Sequence, residues 1–177
     1  MVGRKQEIKT LDEVMSRKQG QLVAVYGRRR VGKTYLIRNY FNNKFTFYHT
    51  GEANVGMKDQ LLGFRDSLKE YGRDCALPTS WREAFRELRK LIEASSEEKK
   101  VVFIDEMPWM DTPRSKFLSA LESRSEELDD GNLVPREGRL GRTCVRTGLP
   151  PACRTAQAGA WNRRGKDRGL LLATCGG

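Results

Sequence analysis

Gly27-Arg28-Arg29-Arg30-Val31-Gly32-Lys33-Thr34 decides how this chain is read. A glycine, four free positions and then Gly-Lys-Thr fit the P-loop pattern of phosphate-binding glycine loops. So short a pattern arises by chance, and its flanks have to confirm it. Directly upstream, Leu22-Val23-Ala24-Val25-Tyr26 is apolar and partly β-branched, which predicts a buried strand. Downstream, Leu36, Ile37, Tyr40 and Phe41 recur at helical spacing, and that helix should end near Asn42-Asn43. Strand, glycine loop, helix is the required context. It lets backbone N–H groups curl round a phosphate while the helix N-terminus adds its positive end. Lys33 is then expected at the β- and γ-phosphates, and Thr34 is expected to offer its hydroxyl to Mg²⁺.

A bare glycine turn before a basic helix would look the same locally, so a second motif is needed. Val101-Val102-Phe103-Ile104-Asp105-Glu106 supplies it: four apolar residues predict a fully buried strand, and two carboxylates sit at its C-terminal edge. In open α/β sheets ligands bind at that edge. The run lies about 70 residues beyond the glycine loop, with strand and helix patterns alternating between, as expected of a Walker B element. Asp105 is assigned to the Mg²⁺ shell opposite Thr34, and Glu106 to the activation of the attacking water.

The rest of the first 122 residues fits this frame. Ile8, Leu11, Val14 and Met15 predict an amphipathic helix closed by Gly20. Phe45-Thr46-Phe47-Tyr48-His49 alternates as a strand, and His49 at its end is read as structural. Leu61, Leu62, Phe64, Leu68 and Tyr71 mark a further helix. Ser80-Trp81-Arg82-Glu83 is a capping box, and the helix behind it puts Trp81, Phe85, Leu88, Leu91 and Ile92 on one face as core. Thr112-Pro113 is expected to start a helix carrying Phe117, Leu118 and Leu121.

At 177 residues the chain is long enough for one domain with a sizeable core. No apolar run approaches the length of a membrane span, and the start lacks a secretory h-region, so the expected location is cytoplasmic. Cys75, Cys144, Cys153 and Cys175 lack zinc-ligand spacing and are read as reduced thiols. The net charge of +10 permits nucleic-acid contact. Three arginines lie inside the glycine loop, however, so an anionic ligand there already answers part of that charge.

From about Ser123 the character changes. Residues 123–160 are rich in Arg, Gly, Ala and Pro and hold neither lysine nor aromatic residue. They should bury too little to offset their ordering cost, and are expected to be low in order. Such a composition matches GC-rich DNA read in an unintended frame, and an inserted or out-of-frame segment with no selected role is preferred to a basic interaction arm. Leu170-Leu171-Leu172-Ala173-Thr174 then predicts one more buried strand.

Together these residues carry a resemblance. Val2-Gly3-Arg4-Lys5, the glycine-loop unit, Phe103-Ile104-Asp105-Glu106-Met107-Pro108-Trp109 and Asp111-Thr112-Pro113-Arg114-Ser115 look like the prokaryotic AAA-like ATPases of the archaeal-type ATPase family. The likeness covers roughly residues 1–122, with Trp161-Asn162 and the Leu170 run resembling a later return of the same sequence. It implies an α/β fold of P-loop NTPase type, a three-layer αβα sandwich with a mostly parallel sheet, incomplete at its C-terminus. It implies ATP and Mg²⁺ as ligands, with Gly27, Arg28, Arg29, Arg30, Val31, Gly32, Lys33, Thr34 and Tyr35 at the nucleotide, Thr34 and Asp105 at the metal, and Glu106 catalytic. The Val2-Gly3-Arg4 turn should border the adenine, and residues 170–174 should lie between the P-loop and Walker B strands. Where the family places a γ-phosphate-sensing Ser after that strand, this chain has Gly177. The family's further C-terminal parts, through which DNA or protein partners and oligomers would be engaged, lie beyond the resemblance. Three functional readings follow: an ATP-binding domain with weakened hydrolysis, a basic nucleic-acid-binding protein, and an inactive remnant of an ATPase.

Overall fold

A computed structural model describes residues 4–17, 21–27, 30–121, 141–147 and 168–175, with the backbone alone at Gly27 and in the last two segments. Helix α1 (Lys5–Met15) buries Leu11 and Val14; the Ser16 N–H closes it on Asp12 O, so it stops well before Gly20. Strand β1 (Gln21–Gly27) leads to α2 (Lys33–Tyr40), which buries Leu36 and Ile37. Asn42 and Asn43 end that helix in the left-handed region, at φ 50° and 56°, which asparagine tolerates better than most residues. Strand β2 (Phe47–Thr50), α3 (Met57–Glu70), α4 (Trp81–Ala94), β3 (Lys99–Asp105) and the short α5 (Met107–Met110) follow. β4 (Gly141–Thr147) and β5 (Arg168–Cys175) complete the sheet.

The fold is mixed α/β. Five strands lie in the order β2-β3-β5-β1-β4. β2 pairs parallel with β3, and β1 parallel with β4, while β5 runs antiparallel to both β1 and β3. Four strands therefore point one way and β5 the other. Strand side chains alternate between faces, and two buried clusters result. Val102, Ile104, Leu22 and Phe47 join α3 and α4; Val101, Phe103, Val23 and Val25 join Leu11 and Val14 of α1 and Ile37 of α2. On the first face Phe64, Trp81, Phe85 and Phe117 meet edge to face, with Trp81 and Phe117 centroids 4.8 Å apart. The aromatic residues at helical spacing are core, as their period indicated.

Four local features depart from the sequence reading. The Ser80 Oγ accepts from Glu83 N at 3.3 Å, but the Glu83 carboxylate answers to Thr79 N and Thr79 Oγ1, one residue further back than a capping box requires. The helix after α5 begins at residue 117, not at Thr112-Pro113. Lys116 at φ 54° interrupts the chain before it, and Ser115 Oγ accepts from Phe117 N. Gly141–Thr147 forms a strand inside the segment expected to be low in order. Thr143, Val145 and Thr147 are β-branched, and the open edge of β1 provides the ladder. Last, β5 lies between β1 and β3 but reversed, so Cys175 pairs opposite Lys99, at the edge where β3 begins. β5 thus ends at the edge away from the glycine loop, and Gly177, the position the resemblance singled out, lies outside the described residues. β4 ends and β5 begins at the same edge of the sheet, on opposite sides of β1.

Candidate functional site

The two motifs emerge at one edge of the sheet because their strands are level. Ala24 of β1 and Ile104 of β3 both pair with Leu170 of β5. Gly27 and Asp105 therefore leave the sheet at the same edge, with β5 between their strands. Arg28 and Arg29 lie outside the described residues. Arg30 is exposed and left-handed at φ 61°, and Gly32 is left-handed at φ 75°, where it serves as N-cap of α2. The Gly32 carbonyl accepts from Leu36 N at 2.9 Å and so opens the helix. Only glycine holds such a φ without cost. Lys33 is the first residue of α2 and partly buried; Thr34 is second. Tyr35 is 65% exposed beside them.

Across 71 residues of sequence, Thr34 Oγ1 donates to Asp105 Oδ2 at 2.6 Å. Asp105 is 7% exposed at the end of β3, and its other carboxylate oxygen accepts from Glu106 N at 2.9 Å. Both carboxylate oxygens of this buried side chain therefore have hydrogen-bond donors. Glu106 leaves the strand in the left-handed region, at φ 51° and ψ 37°, and caps α5. Hydroxyl and carboxylate oxygens from two separate elements thus converge, and hard oxygens are what Mg²⁺ takes. Among the described residues no three His, Cys, Asp or Glu gather as a metal cage. A cation held by Thr34 and Asp105 would draw the rest of its shell from phosphate oxygens and water.

Arg4 reaches the glycine loop itself. Its Nη1 meets Glu7 Oε1 at 3.2 Å, and its Nη2 donates to the Val31 carbonyl within the glycine loop. It braces the loop from α1, while Val2 and Gly3 lie outside the described residues. A second contributor escaped the sequence reading altogether. Gly51, at the end of β2, donates its N–H to Asp105 O at 3.0 Å, and a Cβ there would stand 2.7 Å from Glu106 O. Buried Gln60 of α3 ties this loop to α5. A lone glutamine on an amphipathic helix gives no signal of burial. His49, read as structural, is buried beneath α3 with Nδ1 2.9 Å from Ser67 Oγ. Burial holds its pKa down at about 4.

Clefts of about 500 and 340 Å³ open on either side of Arg73, lined in part by Thr46, Lys90 and Glu97 and by Cys75, Pro78 and Arg86. Neither includes a residue of the glycine loop or of Asp105-Glu106. Among the described residues no helix is long and apolar enough to cross a membrane.

Residues 1–123 match the family described as an ATPase domain predominantly from Archaea. An uncharacterized ATP-binding protein of Methanocaldococcus jannaschii is 44% identical over 43 residues, which is 24% of this chain and 73% of that protein. No solved structure matches.

Proposed function

The chain belongs to the family of ATPase domains found predominantly in Archaea, and on that premise we propose that it binds Mg-ATP on the loop from Gly27 to Tyr35. The observation that carries this reading is the Thr34–Asp105 contact at 2.6 Å, directly below a glycine loop that opens a helix. Backbone N–H groups of the loop and the first turn of α2 receive the phosphates. Lys33 neutralises the β- and γ-phosphate oxygens, and Arg4 keeps the loop in shape through Val31 O. Thr34 and Asp105 hold the magnesium ion, which supplies charge neutralisation at the phosphates. Glu106, next in the chain, is the candidate general base for water. In this reading the sheet is of P-loop NTPase type, with residues 1–122 forming the nucleotide core and β5 filling the slot between β1 and β3.

The test is calorimetric titration of the full chain with Mg-ATP. Lys33→Ala should weaken binding at least tenfold, about 1.4 kcal/mol or more. Equal affinity in the variant would remove the proposal. Binding of DNA that falls steeply with salt and ignores Lys33→Ala would instead favour the nucleic-acid reading.

A further inference from the structure

We propose that Gln60 is a positioning residue for Glu106, acting through the backbone on both sides of it; this rests on the reading of Glu106 as the base of ATP hydrolysis. Gln60 sits on α3, not on either nucleotide motif, and is 2% exposed. Its amide is nonetheless bonded through both its nitrogen and its oxygen. Nε2 donates to Glu52 O at 2.6 Å and to Trp109 O at 3.2 Å, and Oε1 accepts from Glu52 N at 3.2 Å. One side chain thus joins the loop after β2 to the turn that follows Glu106. A buried amide is costly to leave unpaired, so these three bonds hold together or are lost together.

The two segments it joins enclose Glu106. On one side Gly51 N binds Asp105 O at 3.0 Å, and Gly51 lies so close to Glu106 O that a Cβ would stand only 2.7 Å away. On the other side Trp109 N donates to Glu106 O at 3.1 Å. Between them Glu106 adopts φ 51°, a conformation that a non-glycine residue keeps only when its surroundings hold it there. Gln60 is the side chain that connects those surroundings. Errors near 1 Å in the placement of a reacting group cost about 100-fold in rate, so loosening this turn should slow turnover without touching the phosphate loop.

The experiment compares the full-length chain with Gln60→Met, which keeps the length of the side chain and removes the amide, and with Gln60→Glu, which keeps an acceptor and removes both donors. Amide hydrogen exchange is read first, because it needs no activity. Exchange at Gly51 and Trp109 should speed up at least tenfold in both variants, with Val23 and Val25 of β1 as protected as in the wild type. Steady-state kinetics should then show kcat lowered at least tenfold and the affinity for Mg-ATP within twofold. Unchanged exchange at Gly51 and Trp109 overturns the proposal. Acceleration shared equally by β1 overturns it too, since the effect is then global. Faster local exchange with an unchanged kcat removes the positioning role. If the wild-type chain fails to bind Mg-ATP or to turn it over, the nucleotide reading suffers on its own account, and the exchange data alone decide whether Gln60 holds the Glu106 turn.

Discussion

Acidification should weaken this fold through His49, by an amount that the structure sets. The ring is 4% exposed, between Phe47 at 6.4 Å and Phe64 at 5.0 Å. Ser67 Oγ donates its single hydrogen to Gly63 O at 3.1 Å, so His49 Nδ1–H is the donor in the 2.9 Å contact with Ser67. That leaves Nε2 buried as an acceptor without a partner among the described residues. Protonating it would place a charge where no group receives the new N–H. The Glu52 carboxylate and the His49 ring both lie near Gly63, and burial lowers the pKa of the ring from 6.5 to about 4. The folded-state pKa is depressed, so the unfolded chain binds the proton more readily. The neutral ring's contribution is therefore intact above pH 6.5 and lost as pH falls toward 4. The full separation corresponds to about 3 kcal/mol, of which about 2 kcal/mol is gone by pH 5. Urea unfolding at pH 7 and pH 5 should register this as a midpoint lower by about 1 M in acid. His49→Asn keeps a donor near the Nδ1 position and cannot titrate, so its midpoint should change much less over the same interval. Equal pH dependence in the two proteins would refute the reasoning and assign the effect to the carboxylates.

Two other substitutions test separate parts of the molecule. Glu106→Gln should leave Mg-ATP bound while reducing hydrolysis to background in a phosphate-release assay, because the amide fills the same space but takes no proton; wild-type turnover in the variant would place the base elsewhere. Ser80→Ala removes the cap on Glu83 N and should cost about 1 kcal/mol, seen as a loss of a few degrees in Tm with ATP affinity unchanged.

What was legible in the sequence divides along physical lines. Contacts made by elements with strong local patterns were readable: the glycine loop, the strand ending in Asp105-Glu106, and the apolar period of α4. Even the 71-residue span between Thr34 and Asp105 followed from two motifs whose chemistry requires them to meet. Gln60 and Gly51 were not legible, because their roles arise from tertiary approach. A glutamine on a helix and a glycine after a strand have unremarkable exposed readings, and only the placement of α3 over β2 and α5 makes them otherwise. Arg4 was noticed for its position in a family pattern, but its partner, the Val31 carbonyl, depends on how α1 docks.

The reversed β5 shows where pattern reading stops for a different reason. An apolar run such as Leu170-Leu171-Leu172 identifies a buried strand without stating its direction, since alternation and β-propensity are the same read from either end. The slot between β1 and β3 does not choose strongly either. Parallel and antiparallel ladders both satisfy the backbone groups of the flanking strands, with only a slight advantage to antiparallel pairing. β4, parallel to β1, finishes at the loop edge, and β5 starts there. Direction determines which end of the strand lies at the loop edge. There the slot presents Arg168 and Gly169, opposite Tyr26 and Val25, and Cys175 lies at the other end. Among the described side chains, the polar groups gathered near the loop come from residues 4–106, inside the family match. Nucleotide affinity should therefore follow Lys33, Thr34 and Asp105, and β5 should contribute to it through the stability of the sheet.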